Sequence, residues 1–285
     1  MYKIEDLCFD CPTIAKPQNV SRNSKMKDRY KNNLFFNGEN EYSNSYQIQS
    51  FVEEVFEKES IAINLFPIDF DNHITTKEKK KIISEWLDIL PNLNKLKSLS
   101  IRHKVDIEFF QKICQIDSLE CLEVWSSNLA DISEISKLKN LKRLDLKGFN
   151  KLINVKPITK LKKLEKLSIE KSFLIDDYRC ISELNNLIGL QLNGDLLAPK
   201  NLKIENISFI KELENLEHLD LSNCIISSKD LSPINKLKNL KRLDINEKVS
   251  SELKKSILES NKKLNSGFFV DWDFQLNKFH PGKDW

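Results

Sequence analysis

An apolar register that returns every 22 to 29 positions, marked by Leu99, Leu122, Leu144, Leu167, Leu190, Leu219 and Leu243, governs what this chain can fold into. Two residues after each marker comes a second apolar side chain: Ile101, Val124, Leu146, Ile169, Leu192, Leu221 and Ile245. Leucines or isoleucines also stand three and six residues upstream, as in Leu138, Leu141, Leu144 and in Leu237, Leu240, Leu243. One unit is thus written seven times. A unit this short has no core of its own and buries its apolar face only by stacking on its neighbours, so the chain must be a solenoid.

Repetition makes the pattern specific, because a single Leu-x-x-Leu-x-Leu is common. Residues 89 to 247 resemble the leucine-rich repeat family, and in particular its bacterial, internalin-like repeats. The resemblance is carried by Asn128-Leu129-Ala130-Asp131-Ile132-Ser133 ahead of Ile135, Leu138, Leu141 and Leu144, and by Asp230-Leu231-Ser232-Pro233-Ile234 ahead of Leu237. It implies an α/β horseshoe in which each copy supplies one strand of a parallel concave sheet and a return segment. Five residues after the marker, where that family usually places asparagine or cysteine, stand Ser127, Phe149, Ser172, Asp195 and Cys224. Only Cys224 fits, and an uneven stack is expected.

A solenoid needs caps over its terminal repeats. Residues 1 to 44 show little periodicity and read as an irregular lead-in, with a short strand near Asn33–Phe36. Residues 45 to 91 form the N-terminal cap: Ile48, Phe51, Val52, Val55 and Phe56 on one helical face, then Ile61, Ile63 and Leu65 in alternation, then a helix from Lys77 to Leu90 capped by Thr75 or Thr76. Its strand is expected to pair beside Ser98–Arg102. Residues 92 to 247 are the solenoid, with an insertion at 194–206 in the longest repeat. Residues 248 to 285 are read as a short helix-strand C-terminal cap, the helix starting at Ser251 and the strand alternating through Val270, Trp272, Phe274 and Leu276.

Side chains alternate along a strand, so residues flanking the inward markers project onto the concave face in columns. Ser98, Cys121, Arg143, Lys166, Gly189, His218 and Arg242 precede the markers. Ser100, Glu123, Asp145, Ser168, Gln191, Asp220 and Asp244 follow them, and Arg102, Trp125, Lys147, Glu170, Asn193, Ser222 and Asn246 stand two further on. Strands lie about 4.8 Å apart, which sets Arg143 beside Lys166, Glu123 beside Asp145 and Asp220 beside Asp244. Such charges either neutralise one another across columns or await a complementary partner. A tryptophan on a sheet face has no core to fill and is a favoured interface anchor. Trp125, Arg143, Asp145, Lys147, Lys166, Glu170, His218 and Asp220 form the expected protein-binding set.

A net charge of +3 on 285 residues gives no global case for nucleic acid or membrane. The lysine runs of residues 137 to 171 interleave with core leucines and read as a solvated face. The six cysteines form no disulfide framework, and no signal-peptide pattern or apolar span is present, so a cytoplasmic location is expected. Cys8 and Cys11 are half a zinc site without a second half, and the four histidines lie apart. His218 and Asp220 share a strand face without a nucleophile motif. No cofactor, metal, small-molecule substrate or enzymatic activity is expected. By analogy, the resemblance implies a protein-binding module, acting as an immunity or antitoxin protein whose partner is a toxin or effector domain. The alternatives are an exported effector or adhesin that binds host proteins, and nucleic-acid binding through the lysine-rich face.

Overall fold

The computed structural model describes residues 34–35, 46–48, 53–65, 75–195, 198, 200–245 and 249–270. Nine strands form one parallel sheet in near-sequential order: β1 (Tyr46–Ile48), β2 (Ser60–Asn64), β3 (Ser98–Val105), β4 (Cys121–Ser127), β5 (Arg143–Lys147), β6 (Lys166–Glu170), β7 (Gly189–Asn193), β9 (His218–Leu221) and β11 (Arg242–Ile245). Each marker leucine pairs in register with the next, Leu99 with Leu122, Leu122 with Leu144, Leu144 with Leu167, Leu167 with Leu190, Leu190 with Leu219 and Leu219 with Leu243. All seven are at most 1% exposed, because a one-residue slip would turn every leucine to the other face.

Five return segments are short 3-10 helices: Ser133–Lys137, Lys156–Lys160, Arg179–Glu183, Ser208–Glu212 and Ser232–Lys236. Each is entered through an Asx turn. The side chains of Asp131, Asn154, Asp177, Asn206 and Asp230 each accept the backbone N–H two residues on. A buried isoleucine in each (Ile135, Ile158, Ile181, Ile210, Ile234) then packs against the marker leucines. The first return is instead the α-helix α2 (Ile107–Ile113), capped by Asp106.

Two polar ladders hold the turns in register. Four residues before the marker, Asn140, Asn186, Asn215 and Asn239 donate through Nδ2 to the carbonyls of Asp117, Lys162, Asn185 and Glu214 at 2.8–3.0 Å. Ser118 takes this place in its repeat, donating to Leu96 O at 2.6 Å. The ladder five residues after the marker is fuller than Cys224 alone. Ser127 Oγ donates to Val105 O, Ser172 Oγ accepts from Phe149 N, and Cys224 Sγ bonds Leu192 O. A hydroxyl reaches the neighbouring turn as an asparagine does.

The caps match the expectation in part. Helix α1 (Thr76–Ile89) is capped at Thr75 by a reciprocal box with Glu78, and β2 pairs with β3 as expected. The helix expected over 46–58 is corrected to β1 and a 3-10 turn, Glu53–Glu57. The open edge of β2 accepts a parallel strand, and that pairing outweighs the helical periodicity. At the other end, helix α3 (Ser251–Ser260) starts where expected. Phe268–Val270 form a helical turn rather than the start of a strand, and residues 271–276 lie outside the described residues. The last strand is closed by a single bridge, Arg242 to Ser266, made possible by Gly267 at φ +97°, where a Cβ would stand 2.2 Å from Leu243 O. The strand expected near Asn33–Phe36 is a turn at Leu34 and Phe35, its flanks lying outside the described residues. Within the 194–206 insertion, β8 (Leu202–Ile204) pairs parallel with β10 (Cys224–Ile226) as a small second sheet.

Candidate functional site

The register places the described members of the three columns on the concave face as the alternation requires, with Arg143 opposite Lys166, Glu123 opposite Asp145 and Asp220 opposite Asp244; Asn246 lies outside the described residues. Repulsion between these neighbours is offset mainly within single strands. Arg143 donates to Asp145 through Nε at 2.9 Å and Nη2 at 2.7 Å, and Arg242 donates to Asp244 through Nε at 2.6 Å and Nη2 at 3.1 Å. Lys147 reaches across to Glu123 at 2.9 Å and lies 3.8 Å from Glu170. These are two forks and one triad; in each fork a first-column arginine neutralises a second-column aspartate of its own strand, two positions away.

Burial changes the character of the set. His218 is wholly buried, Asp145 is 3% exposed and Asp220 is 7% exposed, so these three are corrected from solvent-facing contacts to internal ones. The physical reason is crowding by neighbours and by the chain's own Leu34 and Phe35, which lie on His218, Arg143 and Gly189. Trp125, Arg143, Lys147, Lys166 and Glu170 remain partly open. The opening next to Phe35, a cavity of about 170 Å³, is lined by Arg143, Asp145, Lys147, Ser168, Glu170 and Gln191. Arg143 Nη1 and Asp145 Oδ1 are buried there without hydrogen-bond partners.

Trp125 is the centre of a second arrangement, built from its two neighbours in the same column. Between Ile101 and Lys104, strand β3 carries a bulge, so that Arg102 and His103 together oppose Trp125. Alternation along β3 turns His103 into the core against Phe109, with ring centroids 4.9 Å apart, and Arg102 to the concave side. The Arg102 guanidinium lies 4.8 Å from the Trp125 ring centroid and Lys147 Nζ lies 4.9 Å from it, a three-strand stack of cation, indole and cation. Lys147 is neutralised by its glutamates. Arg102 has no ion pair among the described residues, and its Nε and Nη1 are buried without partners.

Titration behaviour follows from this packing. Burial opposes the charge on Glu123, but Lys147 and the Ser100 hydroxyl outweigh it and hold the carboxyl below its usual range. Burial likewise opposes the Lys147 ammonium, and Glu123, Glu170 and Asp145 raise it nonetheless. Burial pushes the Glu170 carboxyl up, against Lys147 and with Asp145, Asp220 and Glu123 adding to the rise. For Asp244, burial is outweighed by the facing His218, by Arg242 and by the Phe268 N–H, so it stays ionised below the usual range.

His218, Asp220 and Asp244 have donor atoms within 4.8 Å of one another, a metal-like grouping that sequence spacing did not show. Protein donors already engage both carboxylates: Gln191, Asn193 and the Ser222 N–H on Asp220, Arg242 and the Phe268 N–H on Asp244. Arg242 supplies the positive charge a metal would bring. Burial pushes the thiols of Cys114 and Cys121 up to about 12 and about 11, so neither is a thiolate nucleophile at neutral pH. Burial, with Lys79 adding, lowers His103 to about 4, and its ring sits in the core away from the cavity. No helix among the described residues is long and apolar enough to cross a membrane.

No family model matches the sequence, and no curated protein is similar enough to match it. Solved structures do resemble the fold. Internalin C2 of Listeria monocytogenes superposes with a TM-score of 0.51 at 22% identity, over 62% of this chain and 73% of that one. Internalin F of the same organism gives 0.49 at 20% identity, over 74% of this chain and 61% of that one. A leucine-rich repeat protein of Leptospira interrogans gives 0.41 at 23% identity, over 78% and 64%.

Proposed function

We propose a protein-binding role for this chain, starting from its fold, which is the leucine-rich repeat solenoid that internalin C2 also has. The concave face receives one protein partner along the column of Trp125, Lys147 and Glu170, with Lys166 and Arg143 at its border. The observation that carries this reading is Trp125: a part-open indole on the concave face, flanked by the Arg102 guanidinium at 4.8 Å and the Lys147 ammonium at 4.9 Å. A ring fixed between two cations loses little side-chain freedom when a partner covers it. Tryptophan and arginine together are also what interface hot spots are made of.

The finer role is that of a cytoplasmic immunity or antitoxin protein that occludes a toxin or effector domain without catalysis of its own. Support comes from the absence of a disulfide among the described cysteines, and from a face whose charged groups are committed to one another instead of to a reactive centre. The experiment is affinity capture from native cells with the full chain, with Arg102→Ala and Trp125→Ala, and with Lys160→Ala/Lys162→Ala on the return face as control. A protein retained by wild type and the control but lost by both concave variants is expected. Equal retention by all four, or no specific protein at all, removes the reading.

A further inference from the structure

Leu34 and Phe35 are far from the solenoid in sequence yet sit on its concave face. The Leu34 N–H donates to His218 Nδ1 at 3.1 Å, across 184 residues, and Phe35 O accepts from Arg143 Nη2 at 3.4 Å, across 108. The Phe35 ring meets the His218 imidazole edge-on, with centroids 5.2 Å apart, and the Arg143 guanidinium lies 5.9 Å from the same ring. The first column supplies the space: between Lys166 and His218 it holds Gly189. A Cβ at Gly189 would stand 3.2 Å from Phe35 Cζ and 3.3 Å from Leu34 Cδ1, tighter than side chains ordinarily pack.

This is how a protein reads a short peptide. One side chain accepts a main-chain N–H, another donates to the next carbonyl, and a glycine notch takes an apolar and an aromatic side chain. The pair is not needed by the apolar core, which lies on the opposite side of the sheet under the marker leucines. The cavity of about 170 Å³ continues past Phe35 along Lys147, Ser168 and Glu170, so the site is longer than the two residues that occupy it.

We infer that the concave face carries a peptide-docking site at Gly189, His218 and Arg143, that Leu34–Phe35 occupies it as an intramolecular ligand, and that a partner segment with an apolar residue followed by an aromatic one takes the same place in trans. The second occupant rests on the protein-binding reading above; the dock itself does not. A tethered segment acts at an effective concentration in the millimolar range, so it competes with any free segment of the same chemistry.

The test uses a fluorescein-labelled peptide of residues 31–39, Lys-Asn-Asn-Leu-Phe-Phe-Asn-Gly-Glu, and three full-length proteins. These are wild type, Leu34→Ala/Phe35→Ala, and the same double variant with Gly189→Leu, each checked for an unchanged circular dichroism spectrum; Gly189→Val replaces the leucine if that protein misfolds. Anisotropy is expected to show binding to the double variant about tenfold tighter than to wild type, and no binding once the notch is filled. Equal affinity for wild type and the double variant, binding to neither, or binding that survives the filled notch overturns the inference. If the peptide docks as expected while affinity capture retains no partner, the dock stands and the protein-binding reading falls.

Discussion

Replacing Asp244 by asparagine isolates the most heavily bonded charge on the concave face. Asp244 is 2% exposed and receives both arms of Arg242, the Phe268 N–H at 2.9 Å, and a facing His218 Nε2 at 3.5 Å. Asparagine preserves shape and one oxygen but takes away the charge that holds both donors of Arg242, a residue 6% exposed. Breaking one partner of such a pair costs about 3–5 kcal/mol. In a domain of this size about 1 kcal/mol moves the melting midpoint by roughly 2–4 °C, so the expected loss is on the order of 6–20 °C. Because repeats stack like beads and Phe268 belongs to the C-terminal cap, hydrogen exchange should accelerate first in β11 and residues 264–270. Replacing both charges, as Arg242→Met/Asp244→Leu, should recover part of the lost stability, since it removes the buried charge although the Phe268 N–H and His218 Nε2 lose their acceptor. An Asp244→Asn midpoint within 1 °C of wild type, or a double variant worse than the single one, would refute the reasoning.

Glu123 gives a pH prediction. Its folded pKa lies below its ordinary value because Lys147 and Ser100 outweigh burial, so its contribution is fully present above the ordinary glutamate pKa of about 4.3 and is lost as pH falls below it. Chemical denaturation at pH 7 and pH 3 should show wild type losing more stability than Glu123→Gln over that interval; parallel losses count against the assignment. In the asparagine ladder, Asn186→Ala removes one donor from the Lys162 carbonyl and should cost about 1 kcal/mol, whereas Leu187→Ala next to it empties core and should cost about 2–5 kcal/mol. A reversal of that order in urea titrations would show the ladder, not the core, holding the turn. Gly267→Ala forces a Cβ to 2.2 Å from Leu243 O and should destabilise the C-terminal cap by about 1–3 kcal/mol, read as faster exchange there; a neutral result denies the close approach.

What was legible in the sequence was whatever repeats. The marker leucines fixed strand, register and column, and Thr75 and Thr76 and the apolar spacing after Ser251 fixed two helix starts. The asparagines at 140, 186, 215 and 239 carry the same period, so the ladder before the strand is as readable as the one after it. What was not legible depends on single contacts between distant residues. Tyr46–Ile48 reads as helix until the edge of β2 is there to pair with it. The column puts Arg102 beside Trp125, but the bulge that follows in β3 has no period to announce it. The burial of His218, Asp145 and Asp220 reflects neighbours brought in from elsewhere in the chain, and a glycine in the first column becomes a notch only once Phe35 lies against it.

The claim on which the functional account turns is that a protein partner sits on the concave face. A photo-crosslinking amino acid in place of Trp125, and separately in place of Lys160 on a return segment, tests it directly in native cells. The account predicts a covalent protein adduct from position 125 and none from position 160. An adduct from position 160 alone would place the partner on the outer face and contradict it.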